Sequence, residues 1–262
     1  MRGAFKLGLG IGLLLLAMRA KGEPQPPKRT YTKGLVVGDS LSSRSWATGG
    51  QVQRMLTESG IPTERVYKSG KGTVYYIGEE RRKPVRPAPL TVALRENPAD
   101  LLVVILGAND HRLGLDAGDW RDYGLHRIGP IEPREAKYKA ALRQFVDMAR
   151  AEGVQHIIWL GPAKIEDAPD KERRAKRRAE CAPDDEKCLK KNRMRRHGAW
   201  GNHGAVRVAE WQRETLAPLG VEWHDSQPMT QALVTRDGIH FGPEESKRWA
   251  AAAASVMSPT RA

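Results

Sequence analysis

The chain has 262 residues, 40% of them hydrophobic, with 44 Lys and Arg against 31 Asp and Glu and a formal net charge of +13. That is an ordinary globular composition, long enough for one sizeable domain with its own core. The charge predicts attraction to anionic partners (nucleic acid, acidic glycan or phospholipid head groups) or simply a basic solvated surface, and it says nothing about fold.

The chain opens with two basic residues, Arg2 and Lys6, then an apolar run over 7–18, then Arg19-Ala20-Lys21-Gly22. This pattern fits a secretory signal in residues 1–22, and the run is too short for a comfortable transmembrane span. Arg19 and Lys21 crowd any cleavage near Ala20 or Gly22, so retention as an N-terminal anchor is the alternative; if uncleaved, residues 7–18 contact the membrane. No cysteine lies near the run, which argues against a lipid-modified N-terminus. Gly8, Gly10 and Gly12 imitate part of a dinucleotide fingerprint, but no strand precedes them and they are set aside. Residues 23–33, rich in Pro and Lys, read as a linker, which leaves 34–262 as the domain. The expected location is periplasmic or secreted.

The first strand is Leu35-Val36-Val37, stopped by Gly38-Asp39-Ser40. A helix follows over 46–59, with Trp46, Val52, Met55 and Leu56 near one face and Gly60-Ile61-Pro62 as its stop. A second strand at 65–67 runs into the glycine-rich turn Ser69-Gly70-Lys71-Gly72-Thr73. Residues 81–89 read as a basic, Pro-rich surface loop and 90–96 as a short helix. Residues 101–106 are apolar at every position, as a strand covered by helices on both faces requires, and they stop at Gly107-Ala108-Asn109-Asp110. A helix over 133–152 carries Tyr138, Leu142, Phe145, Val146 and Ala149 on one stripe. A strand at 156–160, a helix at 204–217, a strand at 221–224 and an alanine-rich helix at 243–257 complete the alternation. The fold class is therefore α/β: a three-layer α/β/α sandwich with a mostly parallel central sheet.

One segment breaks the alternation. Residues 171–197 hold 12 Lys and Arg against 5 Asp and Glu. With 163–203 as its outer limits, this reads as an inserted basic helical hairpin, either an arm for an anionic polymer or a solvated decoration. It contains both cysteines, Cys181 and Cys188. Export favours their pairing. A seven-residue step along one helix rises about 10 Å, beyond disulfide reach, so pairing needs the turn at Ala182-Pro183-Asp184-Asp185. Two cysteines alone make a poor case for zinc, and His197, His203 and His224 lack metal-ligand spacing, so no metal and no cofactor are expected. His111 reads as a surface histidine, with substrate contact as the alternative; Trp120 and Trp200 read as buried, with sugar stacking as theirs.

Acyl transfer needs a nucleophile, a base, a group to orient the base, and donors for an oxyanion. Ser40, His240 and Asp237 can supply the first three. The N–H groups of Ser40 and Gly70 and the amide of Asn109 can supply the fourth, with Gly72 competing for the place of Gly70. Asp39 and Asp110 flank these groups. Four blocks, Gly38-Asp39-Ser40-Leu41-Ser42, Ser69-Gly70, Gly107-Ala108-Asn109-Asp110 and Asp237-Gly238-Ile239-His240-Phe241, resemble in order and spacing those of the SGNH hydrolases, the GDSL esterase/lipase superfamily. Ala108 stands where that family often has Thr. No Gly-x-Ser-x-Gly elbow occurs, which argues against the α/β-hydrolase fold. The resemblance implies a flavodoxin-like sheet, with Ser40 as nucleophile, His240 as base and Asp237 as its partner.

The expected activity is that of an exported serine esterase on O-acetyl groups of an anionic envelope glycan. O-acetyl transfer, or lysophospholipid or thioester hydrolysis, on the same residues stays open. A catalytically silent module docking on anionic polymer is the rival from another class. A nucleic-acid partner is disfavoured, because the charge is concentrated in one insertion and no aromatic-basic motif accompanies it.

Overall fold

The structure, a computed structural model, describes residues 30–79, 84–115, 130–166, 179–186, 188, 198–257 and 260–261. Along these residues the elements are β1 (Thr30–Tyr31), β2 (Gly34–Gly38), α1 (Thr48–Glu58), β3 (Thr63–Tyr67), α2 (Thr73–Tyr76), α3 (Pro89–Glu96), β4 (Leu101–Ile105), α4 (Ile131–Ala151), β5 (His156–Leu160), α5 (Gly198–Leu216), β6 (Glu222–His224), α6 (Ser226–Thr230), α7 (Pro243–Val256) and β7 (Thr260–Arg261). The expected signal or anchor at 1–22 lies outside the described residues, as do 23–29 of the linker, Trp120, and 171–178 and 189–197 of the basic insertion. Among the described residues, no helix is long and apolar enough to cross a membrane.

Five strands form the central sheet in the order β3-β2-β4-β5-β6, and every pair is parallel. Each of β2, β4 and β5 is buried at all five positions. Successive side chains on a strand point to opposite faces, and this divides the core in two. Leu35, Val37, Leu102, Val104, Ile157 and Trp159 face one cluster, which Leu90 of α3, Phe145 of α4 and Trp211 of α5 complete. Val36, Val103, Ile105, Ile158 and Leu160 face the other, completed by Val52 and Leu56 of α1 and Trp249, Ala250 and Ala253 of α7. The all-apolar strands are thus explained by helices on both faces. On α4, Tyr138, Leu142, Phe145, Val146 and Ala149 are all buried at helical spacing, as the stripe predicts.

The strand order places the site. From β2 the chain moves to β3 on one side, then crosses to β4 on the other. The carboxyl ends of the neighbours β2 and β4 therefore flank the switch point, where open α/β sheets bind ligands. Ser40 leaves β2 there, and Asn109 leaves β4 there.

Several short elements carry no sequence periodicity and were not expected: the 3-10 turns Ser40–Ser42 and His111–Gly114 and the helices α2 and α6. The end of the 23–33 segment joins the domain, because β1 pairs with β7 and Tyr31 is buried against His156 with ring centroids 5.6 Å apart. At the margins of the 163–203 insertion, Ala163 and Ile165 are buried, and α5 begins at Gly198.

Candidate active site

Ser40 is delivered by the end of a buried strand. After Gly38 the chain turns at Asp39, whose carboxylate Oδ1 accepts the N–H of Leu41 at 2.9 Å and so caps the 3-10 turn Ser40–Ser42. Among the described residues, the Ser40 N–H has no protein acceptor. His240 comes from the loop before α7. That loop is closed by an antiparallel bridge between Thr235 and Phe241 and by the Arg236 N–H bonding the His240 carbonyl at 2.7 Å.

These segments bring the three residues into one line of hydrogen bonds. His240 Nε2 lies 2.8 Å from Ser40 Oγ, and His240 Nδ1 lies 2.7 Å from Asp237 Oδ2. Asp237 Oδ1 accepts the N–H groups of Ile239 at 3.1 Å and His240 at 2.8 Å, so the carboxylate holds both the ring and its backbone. Burial alone would raise the Asp237 carboxyl, but these bonds from His240 and Ile239 outweigh it and hold it well below the usual carboxylate range. An ionised Asp237 favours a proton on Nδ1 and leaves Nε2 as the acceptor facing the serine hydroxyl.

Asn109 sits at the end of β4, and Asp39 fixes its amide. Asn109 Nδ2 donates to Asp39 Oδ2 at 2.9 Å and to the Lys71 carbonyl at 3.3 Å. An oxyanion at this amide would take the place of the longer Lys71 bond. Gly70 lies in the left-handed region at φ +74°, with open space where a side chain would stand, and its N–H has no protein acceptor among the described residues. Gly72 differs: a Cβ there would lie 1.8 Å from Asp110 Oδ1, so its bareness serves packing. Of the two glycines, Gly70 is the one open to a ligand.

Behind these groups lies a closed polar layer. Asp110 Oδ2 accepts from the Thr73 N–H at 3.1 Å, the Thr73 hydroxyl at 2.8 Å and the Tyr138 hydroxyl at 3.1 Å, and Gln212 Nε2 donates to the Tyr138 oxygen at 2.9 Å. The Tyr76 hydroxyl donates to the Gly38 carbonyl at 2.6 Å and ties α2 to the strand that ends at the serine. Burial pushes the Asp39 carboxyl up to about 7 against the lowering effects of Leu41 and Asn109, and burial also raises Asp110 against its three donors.

Other residues were not read from the sequence. Glu166 Oε1 accepts the Thr235 N–H at 2.6 Å and its hydroxyl at 2.7 Å, and the Glu166 N–H donates to the Gly238 carbonyl at 2.9 Å. This carboxylate clamps the loop that carries Asp237 and His240, and no local motif marks it. A cavity of about 420 Å³ opens beside Ser40 and His240, with Arg44, Trp46, Arg236 and Phe241 in its wall. His111, read as a surface histidine, is instead buried, with Nδ1 bonded to the Ala108 carbonyl in the turn after β4. Cys181 and Cys188 form a disulfide with their Cα atoms 5.8 Å apart. Among the described residues, no group of His, Cys, Asp or Glu has a metal-binding arrangement.

No family model matches the sequence, and no curated protein matches it. Solved structures do. A protein assigned as an arylesterase from Agrobacterium tumefaciens is 16% identical with a TM-score of 0.53. A carbohydrate acetylesterase from Sinorhizobium meliloti is 17% identical with a TM-score of 0.53. The aryl esterase of M. smegmatis is 15% identical with a TM-score of 0.51. Each alignment covers 85% of this chain and 97% of the other. At such identities the likeness is one of fold, and that fold is the SGNH fold the motif blocks imply.

Proposed function

We propose that the chain is an exported serine esterase that removes acyl groups, acetyl in the first place, from an anionic glycan of the cell envelope. Ser40 Oγ attacks the ester carbonyl while His240 Nε2 takes its proton. The oxyanion is held by the N–H groups of Ser40 and Gly70 and by the Asn109 amide. His240 returns the proton to the departing alcohol oxygen, which leaves an acyl-Ser40. Water, deprotonated by His240, then attacks that acyl group, and the Ser40 oxygen regains its proton as the carboxylic acid departs.

One observation carries the reading: an unbroken line of short hydrogen bonds runs from the Ser40 hydroxyl through His240 to Asp237. Asp237 keeps the imidazole in the tautomer that can accept a proton. The acetyl-glycan substrate is supported by the basic composition, with 171–197 as the contacting arm, and by the carbohydrate acetylesterase among the fold neighbours. Export is supported by the apolar run at 7–18 and by the Cys181–Cys188 disulfide. A fluorophosphonate probe should label Ser40 alone, with the position mapped by peptide mass spectrometry. Ser40→Ala should lose more than about 10³-fold in kcat/KM on 4-nitrophenyl acetate. Undiminished hydrolysis by that variant sinks the proposal.

A further inference from the structure

We infer that the cavity beside Ser40 is built for an ester whose alcohol part carries an oxyanion, a carboxylate or a phosphate, and that Arg44 and Arg236 recognise it. The inference rests on the esterase reading of Ser40 and says where its substrate carries charge.

The two arginines come from opposite ends of the chain and meet in the wall of the cavity that holds Ser40 and His240. Each backbone is fixed. The Arg44 carbonyl accepts the Ala47 N–H at 3.1 Å and Arg65 Nη1 at 2.5 Å, and the Arg236 N–H donates to the His240 carbonyl at 2.7 Å. Both side chains are exposed, and among the described residues neither guanidinium has an acidic partner. Among the described residues, the only carboxylate in the wall, Asp237, is occupied by His240 and Ile239. The cavity therefore keeps uncompensated positive charge around its nucleophile.

A guanidinium presents a planar fork of donors that matches a carboxylate or a phosphate. Leu41, Ala47 and Phe241 give the same cavity an apolar part, which suits a small acyl group. Trp46 borders this cavity and also a second one along α1, lined by Gln51, Gln53 and Arg54, so the alcohol part has a wall on which to continue. The charged part of the substrate, held by the arginines, orients the ester toward Ser40.

The test compares each charged acetyl ester with a neutral counterpart by acetate release: acetylated glucuronic acid against its methyl ester, and acetylated glucose 6-phosphate against acetylated glucose. At low salt, kcat/KM should favour at least one charged member by about tenfold, the scale of a charge-assisted hydrogen bond. Whichever pair shows the preference identifies carboxylate or phosphate. Arg44→Ala and Arg236→Ala should each shrink the charged-to-neutral ratio, as should raised salt. Arg95→Ala, whose guanidinium pairs with Glu152 on α4's C-terminal cap, should keep it. Equal use of charged and neutral esters, or a ratio that Arg95→Ala lowers as much as Arg44→Ala, overturns the inference. Calorimetric binding of the same sugars to Ser40→Ala decides it without turnover. Tighter binding of a charged sugar, weakened when Arg44→Ala is added, supports the arginine site even if the esterase reading fails. Binding that ignores the charge, or no binding, ends it.

Discussion

Asp39 immediately precedes Ser40 in the chain and Asp237 reaches it through His240, yet their surroundings drive the two carboxyls in opposite directions. Asp39 is fully buried, accepts one backbone N–H and one amide, and is pushed up to about 7. Asp237 is about half exposed, accepts two backbone N–H groups and an imidazole, and is held low. The difference teaches a division of labour. In the proposed mechanism the exposed half of the site, Ser40, His240 and Asp237, moves a proton and must keep a defined charge. The buried half, Asp39, Asp110, Thr73 and Tyr138, lies behind the half-buried Asn109, whose amide Asp39 holds, and needs only its hydrogen bonds.

The largest effects belong to the exposed half. His240→Ala removes the acceptor for the Ser40 proton, and kcat on 4-nitrophenyl acetate should fall by more than about 10³-fold. Asp237→Asn keeps the shape but replaces an acceptor with an amide, so the imidazole loses the partner that fixes its tautomer. A drop of about 10²–10⁴-fold in kcat with little change in KM is expected. A wild-type rate from Asp237→Asn would mean that the half-exposed carboxylate is decoration, and the comparison would break at its first term.

Asp39→Asn should come next. Asp39 Oδ2 accepts the Asn109 amide N–H, and an asparagine there would set one N–H₂ group against another or force Asn109 to turn its oxygen inward. Turning would misaim the amide proposed to hold the oxyanion, which should cost roughly 10–10²-fold in kcat and spare KM. A KM effect with kcat intact would instead mark Asn109 as a substrate-binding group.

The same variant tests the opposed titrations. The Asp39 carboxyl ionises near 3.8 in its ordinary state and near 7 when folded. Between those values the folded protein holds a proton that the unfolded chain has released, so raising pH through this window lowers stability, by on the order of 4 kcal/mol at full extent. Asp237 runs the other way. Its folded value lies below 3.8, so its contribution is present above that pH and is lost as pH falls. Glu222 adds to the acid-side loss: burial would raise it, but bonds to His156 and His224 hold it at about 2. Thermal midpoints at pH 5 and pH 8 should therefore diverge less in Asp39→Asn than in the wild type. An identical pH dependence in the two proteins would show that Asp39 is ionised throughout.

The sequence was most informative where one physical demand dominates. β2, β4 and β5 are legible because strands covered on both faces must be apolar throughout, and the sandwich follows from their alternation with helices. Ser40, Asn109 and His240 are legible because they stand in turns at strand ends or before the last helix, beside glycines and acids that only such turns need. What escaped depends on partners far along the chain. The four residues of α2 have no periodicity, and the helix is held from outside, by Asp110 on Thr73 and by the Gly38 carbonyl on Tyr76. Glu166 gains its role only when Thr235 reaches it. Arg44 and Arg236 looked like two more charges in a basic chain until folding put them beside one serine. Tyr138 was read for its apolar face, and its hydroxyl was overlooked.

That hydroxyl gives the smallest predicted effect and the sharpest test of the buried half. The Tyr138 O–H donates to Asp110 Oδ2, and its oxygen accepts from Gln212, both within a layer closed to water. Tyr138→Phe keeps the ring in the core and removes one donor and one acceptor. Asp110 retains both bonds from Thr73, so its position should survive. The loss, measured by urea unfolding, should be about 1–2 kcal/mol, the cost of leaving Gln212 short of a partner. Because Asp110 is hydrogen-bonded to neither the Ser40 hydroxyl nor the His240 imidazole, kcat/KM should stay within about threefold, far below the loss from Asp39→Asn. If Tyr138→Phe instead lowers kcat as far as Asp39→Asn does while stability holds, the buried layer takes part in the chemistry, and the division between a half that moves protons and a half that holds still is wrong.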